Sequence, residues 1–288
     1  KFEVYDNLFP NRKNGVNAWV TIMRGCDKFC TFCIVPFTRG RERSRSIDGI
    51  VSEVENAVKD GFSEVTLLGQ NVNSYNYDGS KFHVLLENLV KVNGLKRLRY
   101  TSPHPQDITI ELLEVMARYD NICNSIHLPL QSGSDRILKR MNRSYTRDHF
   151  INIARTIREI LPNAGISTDI IVGFPGESEK DFVETMSVME EVNFDSAYTF
   201  KYSSRKGTKA SEYEDQISNE VKQNRLEQII ALQKSHTILR NQSYIGKIQN
   251  VLIEKQSKRN SGKWAGRTES NKWVIFDKEH ANIKDIVP

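Results

Sequence analysis

Short apolar segments that are rich in β-branched and aromatic residues alternate along the chain with longer amphipathic segments. The strand-like segments are Trp19–Met23, Val65–Leu68, Leu98–Thr101, Ser125–Leu130, Ser167–Val172 and Ala197–Tyr202. The helix-like segments lie near 47–60, 82–92, 109–119, 147–161 and 179–192. Strands that alternate with helices form βαβ units around a parallel sheet. The pattern therefore predicts an α/β domain, and alternation alone leaves both a doubly wound sheet and a barrel open.

The pattern changes near residue 243. A long polar helix is predicted over Asn219–Gln242, and its core-facing side is expected to carry Leu226, Ile229, Ile230, Leu232 and Gln233. Strand-like segments then follow at Ile248–Ile253 and Trp273–Phe276, separated by polar segments that contain glycine, as in a small β-barrel. We therefore expect a linker at 1–15, the α/β domain at 16–243 and a small all-β domain at 244–288.

The positive charge is concentrated in the last of these regions. The chain has a net charge of +5, and residues 244–288 carry +4 of it, from nine Lys and Arg against five acidic residues. A near-neutral body with a basic end indicates binding to a polyanion, with an ordinary solvated surface as the alternative. The sequence has no apolar run near the roughly 20 residues of a membrane span. Its first ten residues do not resemble a signal peptide, so we expect a cytoplasmic protein without membrane contact.

Three of the four cysteines, Cys26, Cys30 and Cys33, follow the first strand with the spacing C-x3-C-x2-C. Three thiolates on a tight loop can bind three irons of a [4Fe-4S] cluster and leave the fourth iron open to a small molecule. Structural zinc, the alternative, prefers four ligands, and the nearest histidines, His83 and His104, are far from the three cysteines in the sequence. The spacing therefore predicts a cluster. Cys123 stands alone among apolar residues and is expected to be a buried small hydrophobe.

This cysteine loop and several later segments resemble the radical S-adenosylmethionine (SAM) superfamily and, within it, the tRNA-modifying methylthiotransferases. The segments are Phe29–Ser44, Leu67–Tyr75, Thr101–Pro105, His127–Ser134, Lys139–Thr146 and Asp169–Glu177. The resemblance implies a partial six-stranded β/α barrel with these segments at the carboxyl ends of its strands. It also implies that SAM chelates the open iron and is cleaved to a 5′-deoxyadenosyl radical. Gly266–Phe276 resembles the RNA-binding TRAM domain of that family, although such a domain normally continues past Pro288.

The resemblance also implies which residues contact SAM. They are Phe32, Gly69, Gln70, Asn71, Ser102, Gln131, Ser132, Arg143, Asp169, Gly173 and Phe174. In the family, residues at the end of the second barrel strand contact the amino group of SAM, and residues at the end of the fourth strand contact its ribose. The segment that contains Arg143 contacts the SAM carboxylate, and Phe32 and Gly173 lie beside the adenine. Each segment also has a structural interpretation, as a polar turn, a satisfied loop pair, a buried hydrogen bond or a solvated charge.

Basic residues near the cysteine loop and in the last region are expected to contact RNA phosphates. They are Arg39, Arg41, Arg43, Lys247, Lys258, Arg259, Arg267 and Lys272. Arg45 belongs to the same run of alternating arginines, and Trp264 and Trp273 are candidates for stacking on unpaired bases. The implied partner is the anticodon stem-loop of a tRNA. The structural alternative is a set of solvated charges.

The activity implied by the resemblance is addition of a 2-methylthio group to N6-isopentenyladenosine next to the anticodon, with an electron donor such as flavodoxin. The family draws sulfur from a second [4Fe-4S] cluster, held by three cysteines of a preceding domain. Apart from the triad this sequence has only Cys123. We therefore expect a fragment, and the second cluster only in the full-length parent. The alternatives are a threonylcarbamoyladenosine tRNA methylthiotransferase and a non-catalytic iron-sulfur RNA-binding module.

Overall fold

A computed structural model describes Pro10, Arg12, 15–278 and 281–288. The strands are β1 (Asn17–Thr21), β2 (Met23–Arg24), β3 (Arg43–Ser44), β4 (Glu64–Leu68), β5 (Asn76–Tyr77), β6 (Ser80–Lys81), β7 (Arg97–Tyr100), β8 (Ser125–His127), β9 (Gly165–Val172), β10 (Ser196–Lys201), β11 (Val251–Gln256), β12 (Lys263–Thr268), β13 (Trp273–Asp277) and β14 (Ile286–Val287). The α-helices are α1 (Val35–Arg39), α2 (Ile47–Lys59), α3 (Phe82–Leu89), α4 (Ile110–Arg118), α5 (Asp135–Arg140), α6 (Arg147–Ile160), α7 (Glu179–Val192) and α8 (Asn219–Gln242). Most of the predicted linker at 1–15 lies outside the described residues.

Six parallel strands form an open barrel. Strands β1, β4 and β7 make one parallel sheet, and β8, β9 and β10 make the other. A parallel bridge between Leu98 of β7 and Ile122 joins the two sheets, and Cys123 N donates to Leu98 O over 2.9 Å. β1 and β10 are therefore the free edges. The predicted partial six-stranded barrel is confirmed, and the doubly wound alternative is wrong.

The two faces of the barrel sheet differ because successive side chains point to opposite sides. Val20, Leu67, Ile126 and Ile170 lie on the outer face and are fully buried under the helices in one hydrophobic core. The inner face instead carries mostly polar and aromatic residues, in register across the strands: Asn17 with Glu64 and Arg97, Trp19 with Thr66 and Arg99, and Asp169 with Tyr198. The barrel interior is therefore a polar lumen rather than a second apolar core.

The long helix α8 has the predicted bounds, and four of the five residues predicted for its core-facing side lie there: Ile229 and Gln233 are buried, and Leu226 and Leu232 pack partly buried against the core. Ile230 is 49% exposed, so its predicted place in the core is wrong. The buried residues of α8 are Lys222, Arg225, Ile229, Gln233 and His236. Arg225 is buried because its guanidinium pairs with Glu177 over 2.8 Å. A pattern of apolar residues alone misses a helix face that packs through an ion pair.

The last region is an antiparallel sheet in the order β13-β12-β11-β14. It contacts the amino ends of the barrel strands. Arg97 of β7 is 2% exposed and donates to Arg267 O over 2.6 Å and to Asn250 O over 2.8 Å. Arg99 of β7 donates to Thr268 O over 2.8 Å. The sheet thus closes the end of the barrel that lies opposite the cysteine loop.

Candidate active site: the cysteine loop and its surroundings

The cysteine loop follows β1 and β2 at the carboxyl end of the barrel. Its first turn needs glycine: Gly25 has φ +82°, and a Cβ there would lie 2.1 Å from the Arg41 carbonyl oxygen. The Gly25 amide donates to Gln70 Oε1 over 2.7 Å, and the Cys26 amide donates to Gly40 O over 3.2 Å. These bonds hold the first thiol against the end of β4.

Residues that follow β8, which is the fourth strand of the barrel, hold the rest of the cysteine loop. Thr31 donates its amide to Met141 O over 3.0 Å and its hydroxyl to Arg140 O over 2.9 Å. The Asn142 side-chain amide donates to Lys28 O and to Phe29 O, both over 3.0 Å. The loop is thereby fixed from two sides of the barrel mouth.

The three thiols are free and partly buried. Burial raises the pKa of Cys26 to about 11 and also raises the pKa of Cys33. Within the described residues, no three His, Cys, Asp or Glu side chains are grouped so that they could hold a metal ion. A cluster bonds each cysteine to a different iron, so its thiolates do not need to converge on one point.

The Arg143 side chain contacts the cysteine loop at Cys30. Its Nη1 donates to Cys30 Sγ over 3.4 Å and its Nη2 to Pro129 O over 3.2 Å. Burial opposes the charged form, but the Tyr145 hydroxyl and the Cys30 thiol raise the pKa of the guanidinium. Burial also raises the pKa of Tyr145 to about 12, so its hydroxyl keeps its proton. Arg143 therefore carries a fixed positive charge beside the thiols. Arg140, by contrast, pairs with Asp215 over 2.6 Å.

The predicted SAM contacts at the end of β4 lie beside the cysteine loop. Gln70 braces Gly25, as described above. Asn71 is 1% exposed, and its Nδ2 donates to Asp107 Oδ2 over 2.8 Å. Its Oδ1 is buried without a hydrogen-bond partner in the described part of the chain. This acceptor is therefore available to a donor group of a bound ligand. Gly69 precedes them on the same turn. Ser102 is exposed and left-handed (φ +56°) just beyond β7.

Two predicted residues after β8 pack against neighbouring elements. Gln131 is left-handed (φ +65°), and its backbone bonds to Asp169 O and to Ile171 N of β9. Ser132 is fully buried, with its hydroxyl 3.4 Å from Thr185 Oγ1 of α7. These contacts favour a structural role for the Ser132 side chain over the predicted ribose contact. Asp169 faces the lumen, and its Oδ2 lies 3.2 Å from His127 Nε2.

The predicted adenine wall is assembled around Phe174. Its ring is fully buried and packs edge-on against Phe32, with 6.4 Å between the ring centroids. Gly173 has φ +67°, and a Cβ there would lie 2.3 Å from Lys222 Cγ. The Gly173 amide donates to Glu177 Oε1 over 2.9 Å. The structure thus brings Phe32, Gly173 and Phe174 together on one side of the cysteine loop.

The predicted RNA contacts fall into different places. Arg39, Arg41 and Arg43 lie on the segment from α1 to β3 beside the cysteine loop, and Arg41 pairs with Asp27 over 2.6 Å. Lys247, Lys258 and Arg259 are exposed.

Three basic residues of the predicted set are used internally. Arg45 is buried against Glu53 at 2.6 Å, Arg267 lies 3.2 Å from Glu64, and Lys272 lies 3.2 Å from Asp195. These ion pairs favour structural roles for Arg45 and Arg267, whereas Lys272 shares Asp195 with two further cations and stays a predicted phosphate contact. The exposed residues remain predicted RNA contacts.

Sequence reasoning missed several residues that shape the site. Asn142 and Thr31 hold the loop, and Tyr145 holds Arg143 through a 3.0 Å hydrogen bond. Asn142 lies in the segment that carries Arg140 and Arg143, and its left-handed conformation (φ +57°) is one that asparagine tolerates. The presence of asparagine at position 142 was therefore the sequence signal that could have identified this residue. Nothing local in the sequence indicates that Thr31 faces α5.

Comparison with known proteins agrees with this geometry. The radical SAM superfamily profile matches residues 20–189, which is more than half of the chain. The chain belongs to the radical SAM superfamily. The TRAM domain profile matches residues 242–288. The radical SAM barrel also resembles that of coproporphyrinogen III oxidase from Escherichia coli, with a TM-score of 0.57 and 14% identity over 88% of this chain and 67% of that one.

Curated relatives of this radical SAM chain share much more sequence. It is 46% identical to a tRNA-2-methylthio-N(6)-dimethylallyladenosine synthase of Clostridium botulinum (strain Hall), over 99% of this chain and 64% of that protein. It is 47% identical to the synthase of the same name from Pelotomaculum thermopropionicum, again over 99% and 64%. The chain therefore spans about 64% of the length of these relatives.

The site fits the two groups that radical SAM membership implies, a [4Fe-4S] cluster and SAM. Three free thiols on one fixed loop match a cluster with an open fourth iron. The unpartnered Asn71 Oδ1 suits an ammonium donor, and the Arg143 guanidinium suits a carboxylate.

No helix among the described residues has both the length and the hydropathy to cross a membrane.

Proposed function

We propose that this chain is the radical-generating part of a tRNA methylthiotransferase that forms 2-methylthio-N6-dimethylallyladenosine beside the anticodon. The observation that carries the proposal is the fixed triad loop at the carboxyl end of a radical SAM barrel, in a chain about 46% identical to synthases of that name. When bound, the cluster and SAM supply one-electron cleavage of the sulfonium and a 5′-deoxyadenosyl radical.

The residues of the chain bind and orient the reactants. Cys26, Cys30 and Cys33 ligate three irons, and Arg143 neutralises negative charge beside Cys30 and holds the SAM carboxylate. Asn71 accepts a hydrogen bond from the SAM amino group, and Phe32 and Phe174 shield the adenine from water. Such positioning keeps a reactive species beside one chosen hydrogen and away from solvent.

The substrate proposal rests on the relatives and on charge. The exposed cations Arg39, Lys247, Lys258 and Arg259 suit phosphate contacts, and a C-terminal region matches the TRAM domain. We propose a tRNA anticodon stem-loop as partner, a flavodoxin-type electron donor and a cytoplasmic site of action. Sulfur insertion needs a second cluster. Its ligands must lie outside these 288 residues, because Cys123, the fourth cysteine, is 2% exposed in the hydrophobic core.

Nucleoside analysis of bulk tRNA tests this proposal. A strain that lacks the gene is complemented with the whole gene, either unchanged or carrying Cys30→Ala or Cys123→Ala. We expect 2-methylthio-N6-dimethylallyladenosine with the unchanged gene and with Cys123→Ala, and only the unthiolated nucleoside with Cys30→Ala. A threonylcarbamoyl product would assign the chain to the alternative enzyme, and product formation by Cys30→Ala would refute the role of the triad.

A further inference from the structure

A polar cleft of about 390 Å³ lies where the C-terminal sheet meets the barrel. Ser167, Ser196 and Tyr198 line it from β9 and β10, and Asn271 and Trp273 line it from the C-terminal sheet. Its volume falls within the roughly 300–1,000 Å³ of sites that bind small organic ligands. Because both parts of the chain form its walls, neither the barrel nor the sheet alone contains this cleft.

A group of cations lies behind the cleft, and of these only Lys272 lines the cleft itself. Asp195, which lines the cleft, lies 3.2 Å from Arg240, 3.2 Å from Lys272 and 3.9 Å from Arg158. Three cations thus share one carboxylate, so the group keeps a net positive charge. Excess positive charge beside the cleft attracts anions, and phosphate groups of a nucleic acid are the anions that fit a polar cleft bordered by aromatic rings.

Two exposed aromatic rings border the cleft. Tyr198 is 59% exposed and Trp273 is 53% exposed. Lys255 Nζ lies 4.4 Å from the centroid of the Trp273 ring, and the ring of Tyr198 packs against His127 with 5.9 Å between centroids. Rings that are exposed and yet held by neighbours are suited to stacking on an unpaired base.

We propose that this cleft binds one unpaired nucleotide of the substrate RNA, with its base stacked on Tyr198 or Trp273 and its phosphate near Lys272. The proposal rests on the proposed function, in which the substrate is RNA. Ser196, Asn241 and Asn271 provide hydroxyl and amide groups for a base edge or a ribose 2′-hydroxyl.

The nucleotide bound in the cleft is distinct from the base that is modified. β9 runs from the cleft towards the barrel mouth over eight residues, or about 23 Å at roughly 3.3 Å per residue. At about 3.4 Å per stacked nucleotide, the two nucleotides are several positions apart in the RNA.

Equilibrium binding of a fluorescently labelled RNA stem-loop with an unpaired loop tests the proposal. Of Tyr198→Ala and Trp273→Ala, at least the variant that removes the stacked ring should weaken binding roughly 5- to 150-fold, the effect of losing one stacked base. Val183→Ala, which shortens an exposed apolar side chain on the outer helix α7, is the control and should leave the affinity unchanged. If both rings hold the same nucleotide, the double variant should lose less than the product of the two single losses.

Loop RNAs with one abasic position identify the bound nucleotide. At one position of the loop, removal of the base should weaken binding to the unchanged chain. The variant that lacks the stacking ring should bind this abasic RNA and the intact RNA equally well. An unfolding midpoint of Trp273→Ala equal to that of the unchanged chain shows that a loss of RNA affinity is not a loss of folding. Unchanged affinity in both ring variants would overturn the cleft proposal while leaving RNA as the substrate. If the unchanged chain bound no RNA at all, the proposed function would fail with it.

Discussion

At the residue scale, the site depends on a few side chains whose environment differs sharply from water. His104 follows β7 near the cysteine loop and is 6% exposed, and its Nδ1 accepts a hydrogen bond from the Gln106 amide over 3.3 Å. Burial, together with the positive charges of Arg143 and Lys28, lowers the pKa of His104 from 6.5 to about 2. The imidazole is therefore neutral in the folded chain at any pH near neutrality.

This neutral histidine predicts a loss of stability in mild acid. Below pH 6.5 the unfolded chain takes up a proton at His104, whereas the folded chain does so only near pH 2. The unfolded state is thus favoured as the pH falls, by up to about 1.4 kcal/mol per pH unit. His104→Asn removes this contribution.

Denaturant unfolding of the apo-chain at pH 7.5, 6.5 and 5.5 measures the effect. We expect the stability of the unchanged chain to fall more steeply below pH 6.5 than that of His104→Asn. His149→Asn, a change at an exposed histidine on α6, should follow the unchanged chain. Parallel curves for the unchanged chain and His104→Asn would contradict a buried neutral imidazole.

At the element scale, the amino end of α7 joins the barrel to its helical layer. Ser178 and Asp181 form a reciprocal capping box, in which Asp181 Oδ2 accepts from the Ser178 amide over 2.7 Å. Asp181 also accepts from Ser134 Oγ over 2.6 Å and pairs with Arg136. Burial opposes ionisation of this carboxyl, but the bonds from Arg136, Ser134 and Ser178 hold its pKa well below its usual range.

We therefore expect Asp181→Asn to destabilise the chain by roughly 2–3 kcal/mol at pH 7, because hydrogen bonds to a charged group are lost. A lowered carboxyl pKa contributes stability above the unfolded value of 3.8 and loses it as the pH falls below that value. The difference between the two chains should accordingly shrink below about pH 4. Glu190→Gln, at an exposed position on the same helix, should change stability by less than about 0.5 kcal/mol. An equal effect of both substitutions would contradict the role of the cap.

Most elements could be predicted from sequence because their signals are local. Six strands, six helices and the cysteine triad follow from periodicity, caps and spacing, and the fold of the barrel agrees with them. The short helices α1 and α5 were not predicted, since each has at most six residues and makes little periodic pattern. The bond from Thr31 to Arg140 and the pair of Arg225 with Glu177 join residues 109 and 48 positions apart. Local patterns contain no information about such contacts.

At the scale of the whole molecule, the C-terminal sheet and the cysteine loop lie at opposite ends of the barrel. The basic residues predicted to bind RNA therefore do not form one surface. Some border the mouth and others lie on the sheet, while Arg267 and Lys272 join the sheet to the barrel. Net charge indicated the basic region, but only the fold separates cations that face solvent from cations that pair internally.

The contact between sheet and barrel depends strongly on Arg97. Arg97→Met would leave the carbonyls of Arg267 and Asn250 without their charged donor, so we expect a loss of about 2–4 kcal/mol. Amide hydrogen exchange should also become faster in β11 and β12. Arg118→Met makes the same chemical change at a side chain that is 59% exposed in a surface ion pair with Glu87, and it should cost at most about 1 kcal/mol. Unchanged exchange in β11 and β12 would show that the sheet is held elsewhere.

The central claim is that the triad loop holds a cluster that cleaves SAM, and anaerobic reconstitution of the chain tests it most directly. With a reductant and SAM, the reconstituted chain should contain about four irons and four sulfides and should form 5′-deoxyadenosine. Cys30→Ala should lose both, and Cys123→Ala should keep both. No methylthiolated tRNA should form, because these residues supply ligands for one cluster only. Stoichiometric zinc without sulfide, or a full cluster that leaves SAM intact, would contradict the account.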